Sequence, residues 1–332
     1  MSVKHDAPAE YEKGAGSEAL HRIAFLLIPD FSMIAFSSAV ETLRLANRVS
    51  NEPFYGWRCY SLDGQSVKAS NGIVVEVGGG LADLDKAAMV LVCGGVDVQR
   101  FAERPLLDKL RRLAAHGATM GGLCTAPYLL ARAGLLENVR CTIHWENLSG
   151  FQEEFPHIDI TSELFEIDHN RLTCAGGTAS LDMMLTIIAE QCGYGVSTMV
   201  ADMVMHHRIR DGHERQRMDL RVRLGISNPK LLAVIQIMED NLESPLSCSH
   251  LAKDVGLSTR QLERLFHKYL KRPPTRYYLG LRLERARFLL TQTSMPVLTV
   301  ALACGFVSAS HFSKCFREYF GRTPSEERDV KV

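Results

Sequence analysis

The sequence predicts two folds in one chain: an α/β domain of flavodoxin-like layers with a mainly parallel sheet, followed by an all-α domain. Three observations carry this. From His21 to about Gly193 short β-rich runs alternate with amphipathic helical stretches. After Pro229 apolar residues recur only at three- and four-residue spacing. The charge also divides: the chain is formally neutral, with 38 Lys+Arg against 38 Asp+Glu, yet from Pro229 onward 16 basic residues face 10 acidic ones, leaving +6 there and −6 in the remainder. A length of 332 residues suits two domains with separate cores, and a composition 46% hydrophobic and 23% charged excludes a disordered or fibrous chain.

Residues 1–20 are polar and mixed in charge, which reads as a flexible tail. The first apolar run, Ile23 to Ile28, is too short for a signal segment or a membrane span, so a cytoplasmic protein with no membrane association is expected. Strands are expected at 22–28, 57–62, 73–77, 88–93, 118–123, 140–144 and 171–175. Helices are expected at 36–47, 102–116, 125–133, 146–155 and 178–192. Nine cysteines, an odd number without close pairs, argue against a disulfide framework and against a zinc site. Neither a metal nor a cofactor is expected, because His206, His207 and His213 have no cysteine or carboxylate at ligand spacing. From Val196 the chain turns basic, with Arg208, Arg210, Arg215, Arg217, Arg221 and Arg223, and reads as a helix and linker over 196–228 that ends at Ser227-Asn228-Pro229. The α/β domain is thus placed at 21–195 and the helical domain at 229–328.

The helical domain repeats itself at a shift of about 50 residues. Leu251-Ala252-Lys253-Asp254-Val255-Gly256 matches Val300-Ala301-Leu302-Ala303-Cys304-Gly305, Ser258 through Phe266 matches Ser308 through Phe316, and Arg272 and Pro274 match Arg322 and Pro324. Each copy reads short helix, glycine turn, serine cap, longer helix. A glycine can enter the left-handed region that a tight turn needs, and a serine hydroxyl can accept from the first free amides of the next helix. The product is a pair of helix-turn-helix units. In the longer helices Leu262, Leu265, Phe266 and Tyr269, then Phe312, Cys315, Phe316 and Tyr319, form the expected buried stripes.

The opposite faces carry the candidate nucleic-acid contacts. They are Ser258, Thr259, Arg260, Glu263, Arg264 and His267 in the first copy, and Ser308, Ala309, Ser310, His311, Lys314 and Arg317 in the second. Arginine suits guanine edges and phosphates, lysine suits phosphates, and serine and histidine serve several bases. A connecting helix at about 274–291, with Arg276, Arg282, Arg285 and Arg287, would hold the two readers a helical turn of duplex apart.

On these motifs, together with Arg282-Leu283, Ala286, Leu289-Leu290, Ser310-His311-Phe312 and Gly321-Arg-Thr-Pro324, residues from about Leu231 to Arg328 resemble the DNA-binding domain of the AraC/XylS family of transcription regulators. The resemblance implies promoter DNA and RNA polymerase as partners and an effector-responsive regulator, commonly an activator.

Residues 21–195 resemble the class I glutamine amidotransferase-like, PfpI-type domain joined to AraC-type domains in a subgroup of these regulators. The motifs are Phe31 with Glu41-Thr-Leu-Arg-Leu-Ala-Asn47, Cys93-Gly94-Gly95, Gly122-Leu-Cys124-Thr-Ala, His144-Trp145 and Ala175-Gly-Gly-Thr-Ala-Ser-Leu-Asp182. Cys124 follows a strand and precedes a helix, the setting of a nucleophile elbow, with His144 as the candidate base and the Gly94-Gly95 amides as candidate oxyanion donors. The sequence departs from an enzyme's pattern where Ala126-Pro127 follows the elbow and where the usual acidic position falls on Ala35. The favoured reading is therefore a sensor without catalytic residues, the alternative a PfpI-like cysteine hydrolase or amidase with a DNA-binding appendage. Its effector would meet Glu41, Cys124, His144, Trp145 and Glu146 near the strand ends, where an aromatic face and carboxylates attract a cation. The Phe31–Asn47 segment is similar to regulators of amino-acid and quaternary-amine catabolism that respond to arginine, glycine betaine or carnitine, and the subgroup implies a homodimer.

Overall fold

The computed structural model describes residues 21–85, 87–293 and 295–329; the tail expected at 1–20 lies outside the described residues. In chain order the α/β part begins β1 (His21–Leu27), α1 (Met33–Ser50), β2 (Tyr55–Tyr60), β3 (Val67–Lys68), β4 (Val74–Val75) and β5 (Met89–Cys93). It continues α2 (Arg104–Ala115), β6 (Thr119–Leu123), α3 (Pro127–Arg132), β7 (Cys141–Thr142), α4 (Trp145–Glu154), β8 (Ile160–Thr161), β9 (Phe165–Asp168), β10 (Arg171–Cys174), α5 (Ala179–Cys192) and α6 (Tyr194–Met203). Helices follow: α7 (Leu220–Leu224), α8 (Pro229–Asp240), α9 (Cys248–Asp254), α10 (Thr259–Leu270), α11 (Pro274–Gln292), α12 (Val297–Ala303), α13 (Ala309–Phe320) and α14 (Pro324–Asp329).

The main sheet has the order β2-β1-β5-β6-β10-β9, parallel throughout except for β9 against β10. Ile23 to Leu27 and Val90 to Cys93 are buried without alternation, as strands covered by helices on both faces must be. On one face α1 offers Ala35, Phe36, Ala39, Leu43 and Ala46 at helical spacing and packs with α5 and α6. Asn47 fastens that helix to β2, its amide donating to the Tyr55 carbonyl at 2.7 Å and its carbonyl accepting from the Tyr55 amide at 2.9 Å.

Several edges differ from the sequence expectation. The strand expected at 140–144 shortens to β7 and pairs with β8 outside the main sheet, and that at 73–77 shortens to β4, which forms a hairpin with β3. The antiparallel edge strand β9 was not foreseen: Glu166 and Asp168 argue against a strand by propensity, and pairing with β10 overrides them.

The basic helix expected from Val196 stops at Met203. Asp182, fully buried on α5, captures the chain beyond it. It accepts from the Arg210 amide at 2.8 Å and from Arg210 Nε and Nη2 at 2.9 and 2.6 Å, and pairs with His206 Nε2 at 2.8 Å. Gly212 then passes so close to the Phe165 carbonyl that a Cβ would lie 2.9 Å from its oxygen. His213 Nδ1 meets Glu163 Oε2 at 2.5 Å, Glu163 and Arg215 form an antiparallel bridge, and Gln216 donates to Thr142 Oγ1 and to the carbonyls of Ile143 and Glu163 at 2.8–2.9 Å. Residues 205–216 therefore form an irregular strap over β8 and β9.

The chain divides into two compact units. One holds the described residues up to His144 with His157–Gln216; the other holds Trp145–Pro156 with the described residues from Arg217 onward. Helix α4, encoded in the middle of the α/β sequence, belongs to the second unit. There α8 starts at Pro229 with Asn228 as cap, its side chain accepting from the Leu231 amide at 3.0 Å. Two apolar cores follow, one around Leu231, Val234, Leu251, Leu262, Phe266 and Tyr277, the other around Leu289, Val300, Phe306, Phe312 and Phe316. Helix α11 enters both. Its Arg287 reaches the buried Glu327 of α14 at 2.9 Å, which Arg322 also meets at 2.9 Å.

Three outcomes follow from these contacts. Asp182→Ala leaves the Arg210 guanidinium without its carboxylate and should cost the first unit about 3 kcal/mol in denaturant unfolding, whereas Glu41→Ala, which removes an exposed pair, should leave the midpoint nearly unchanged. Gly256→Ala and Gly305→Ala both force alanine to positive φ, at about 1 kcal/mol. Only at Gly305 would a Cβ also lie 2.6 Å from Pro245 Cδ and 2.7 Å from the Glu243 carbonyl oxygen, so that variant should melt several degrees lower than Gly256→Ala. Finally, the Glu163 carboxylate raises the His213 pKa, and His213 lowers that of Glu163. The folded state thus holds the histidine proton more tightly than the unfolded chain, and the pair stabilises most between the unfolded carboxylate and imidazole pKa values. Stability should fall as pH rises from 6 through the raised His213 value, and His213→Gln should flatten that slope in melts across pH 6–9.

Candidate ligand site and nucleic-acid interface

Strand β6 ends at Leu123 and α3 begins at Pro127, and between them Cys124 adopts φ 63°. A non-glycine residue there costs about 1–2 kcal/mol and persists where its surroundings fix it. The fixing is visible: the Cys124 amide donates to the Cys174 carbonyl at 3.0 Å, and the Cys124 carbonyl accepts from the His144 amide at 3.1 Å. Glycines crowd the elbow. A Cβ on Gly176 would lie 2.6 Å from that of Cys124, one on Gly122 would lie 2.8 Å from the Pro127 nitrogen, and one on Gly94 would lie 2.6 Å from the Ala126 nitrogen. The Cys124 side chain is buried within this cage, with His144 brought to it through the main chain.

The Gly94 amide, an expected oxyanion donor, donates to the Leu123 carbonyl at 3.2 Å. Gly95 is pressed against Asp30 and Phe31, and its carbonyl accepts from Thr125 Oγ1 at 2.8 Å. Ala35 is buried on α1, so no acid stands there. Of the other expected ligand contacts, Glu41 lies on the exposed face of α1 and pairs with Arg44 at 2.6 Å. Trp145 and Glu146 open α4 in the second unit. There the Arg217 guanidinium sits 4.6 Å from the Trp145 ring centroid, so the cation that the indole was expected to attract comes from the chain itself, and the Phe288 ring meets Trp145 edge-on at 6.1 Å.

The first unit also holds a cavity of about 540 Å³ that sequence reading missed, walled by Glu166, Glu190, Tyr194, Arg210 and His213 among others. Beside it Glu163, Glu166 and His213 place their donor atoms within 4.8 Å of one another, a grouping of metal-ligand types. Arg140 Nη2 lies 3.4–3.5 Å from both carboxylates, so an arginine, and His213 when protonated, offset their charge. Burial raises the Glu166 pKa while His213 lowers that of Glu163. His213 lies 50 positions from Glu163 and 47 from Glu166, and no spacing rule in sequence could join them.

In the second unit the two helix-turn-helix pairs are α9 with α10 and α12 with α13. Gly256 and Gly305 make the turns at φ 65° and 72°. Ser258 accepts from the Gln261 amide at 3.2 Å while Gln261 Oε1 accepts from the Ser258 amide at 2.8 Å, a capping box; Ser308 accepts from the His311 amide at 3.4 Å. Leu262, Phe266, Phe312 and Phe316 are fully buried. Tyr269 and Tyr319, expected in the stripes, stand 37% and 43% exposed at the helix ends: Tyr269 carries the Lys268 ammonium at 5.0 Å, and Tyr319 lies over Gly280 of α11. On the opposite faces Ser258, Thr259, Arg260, Glu263, Arg264 and His267, and Ser308, Ser310, His311, Lys314 and Arg317, are exposed, with Ala309 half-buried. Arg282 of α11 clamps the second turn, donating to the Cys304 and Gly305 carbonyls at 2.8 and 2.7 Å with its guanidinium 4.2 Å from the Phe306 ring centroid. The longer helices α10 and α13 thus each present an exposed face that carries cations, and both pack on α11.

Residues 251–329 match the helix-turn-helix domain family and residues 21–190 the DJ-1/PfpI family. The chain is 47% identical over 306 residues, 92% of its length and 83% of the relative's, to the HTH-type transcriptional regulator GbdR of Pseudomonas aeruginosa. It is 45% identical to that organism's HTH-type transcriptional regulator CdhR, covering 92% of this chain and 91% of the relative. The crystal structure of an AraC family transcriptional regulator from Pseudomonas putida superposes with a TM-score of 0.51 at 30% identity, over 55% of this chain and 99% of that one. With a DJ-1/PfpI domain in front of a double helix-turn-helix and relatives of this likeness over nearly the whole chain, the protein belongs to the AraC family of HTH-type transcriptional regulators.

Proposed function

We propose that a small amine or amino-acid metabolite binds the first unit beside Cys124 and His144 and changes how the second unit engages promoter DNA. The observation that carries a sensor over a hydrolase is the elbow itself. Its strained cysteine and glycine cage are intact, while Ala35 supplies no acid and the Gly94 amide is taken up by Leu123. An elbow kept in this form is suited to binding. The effector class rests on the similarity of the Phe31–Asn47 segment to regulators responding to arginine, glycine betaine or carnitine. In this reading the protein acts in the cytoplasm as a homodimeric activator that recruits RNA polymerase. Ser258, Thr259, Arg260, Glu263, Arg264 and His267 read one groove segment, and Ser308, Ala309, Ser310, His311, Lys314 and Arg317 the next.

The test pairs thermal shift with DNA binding. Arginine, glycine betaine and carnitine are screened for a rise in melting temperature, and each hit is then added to promoter-fragment titrations at several salt concentrations. A hit should shift DNA affinity, and Cys124→Ala should weaken that hit at least tenfold while leaving effector-free DNA binding in place. Arg264→Ala should lose about 1–3 kcal/mol of specific binding, and Lys314→Ala should reduce the log–log salt slope by about 1. No hit across the panel would remove the effector class, and hydrolysis of a panel amide lost in Cys124→Ala would favour an enzyme.

A further inference from the structure

Helix α4 begins one residue after His144, whose amide is bound to the elbow carbonyl of Cys124. Yet it packs as part of the DNA-binding unit, against α11. The contacts lie along one face of α11. Phe288 meets Trp145, Arg285 Nη2 reaches Glu153 Oε1 at 3.6 Å, and Thr293 comes so close to Gly150 that a Cβ there would lie 2.9 Å from Thr293 Cγ2. Trp145 is held on its face by Arg217. One turn before Arg285 stands Arg282, the clamp on the Cys304–Gly305 turn of the second helix-turn-helix.

We infer that α4 is the transmission element of this regulator. Movement at the Cys124–His144 main-chain contact is passed along α4 to α11 and, through Arg282, sets the orientation of the second recognition helix. The inference rests on the sensor reading above for the origin of the movement, while the α4–α11 docking is a property of the second unit by itself. A ligand that moves α4 must, by linkage, have its own affinity changed when DNA repositions α11. Among the described residues the turn of the first helix-turn-helix is met by Lys230 of α8 and not by an α11 arginine, its Nζ donating to the Gly256 carbonyl at 3.0 Å. The coupling therefore acts on one reader of the two.

The docking can be broken at one atom and restored at another. Gly150→Ala places a methyl against Thr293 Cγ2 and meets no other atom within 3.8 Å. Alanine favours the helix itself over glycine, so any loss comes from the contact. Thr293→Ser removes that Cγ2 and keeps the Oγ1 bond to the Leu289 carbonyl.

In the full-length chain without DNA, Gly150→Ala should speed amide hydrogen exchange at least fivefold in residues 282–293 and 304–312. Residues 251–266 should be unchanged, and Gly150→Ala with Thr293→Ser should return to the wild-type rates. On a duplex selected from random sequence by the wild-type protein, Gly150→Ala should change affinity at least threefold, with the same rescue. Equal exchange in wild type and Gly150→Ala, or a change that Thr293→Ser does not reverse, overturns the inference. Failure of the wild type to select any duplex counts against the regulator reading and leaves the exchange result to decide the docking.

Discussion

The first unit depends on how closely its main chains approach at the ends of four strands. Leu27, Cys93, Leu123 and Cys174 are successive register partners across β1, β5, β6 and β10, so the loops that follow them all leave one edge of the sheet. Parallel pairing makes that edge the natural seat of a ligand. The loops can converge only because Gly94, Gly122 and Gly176 carry no Cβ where neighbouring backbone lies within 3 Å. The strain of Cys124 follows from this crowding. Its amide and carbonyl are both bound, to Cys174 and His144, with the backbone held in the left-handed conformation. Packing, strain and site are one constraint seen at three scales.

The second unit is organised by α11 in the same sense. Its N-terminal half supplies Tyr277 and Tyr278 to one core and its C-terminal half supplies Leu283, Ala286, Leu289 and Leu290 to the other. Each core is completed by one helix-turn-helix, so both readers pack on faces of the same helix. Arginines do structural work on this helix: Arg282 holds a turn, Arg285 meets α4, and Arg287 meets the buried Glu327. The positive charge counted in the C-terminal part is therefore an upper limit on what DNA can use. The recognition helices keep exposed charge on Arg260, Arg264, Lys314 and Arg317.

What was legible in sequence had local causes. Uniform burial of β1 and β5 appears as unbroken apolar runs, and the turn glycines and serine caps announce both helix-turn-helix units because each performs a backbone task within four residues. The elbow was legible for the same reason, as a strand, a cysteine and a helix in immediate succession. What escaped depends on partners far along the chain. Asp182 captures Arg210 and cuts short the basic helix; Glu163 and Glu166 find His213 across 50 and 47 positions; Trp145 takes Arg217 as its cation; and α4 leaves the layer in whose sequence it is written. Amphipathic periodicity locates such a helix correctly and says nothing of which core its apolar face will join. Tyr269 and Tyr319 illustrate the converse, since spacing places them on the stripe while their position at the helix end lets them reach past it.

The two readers are not equivalent, and the difference bears on how one chain could be both stable on DNA and adjustable. Among the described residues beyond its chain neighbours, a hypothetical Cβ on Gly256 would meet Lys230 Nζ at 3.7 Å and nothing else within 4 Å, whereas Gly305 is enclosed by Pro245 and the carbonyls of Leu242 and Glu243 and its own carbonyl is held by Arg282. A turn packed this tightly transmits displacement, because interiors at close-packed density shift as blocks. A turn in open space lets its recognition helix settle on the groove independently. If α4 transmits as inferred above, one reader supplies an anchor whose affinity stays constant, and the other supplies the increment that varies. Because contacts to separate half-sites contribute roughly additively in free energy, altering the second by a few kcal/mol changes occupancy by orders of magnitude without releasing the first. Division of labour between unlike repeats gives regulation a handle that two identical repeats, tied equally to α11, would lack.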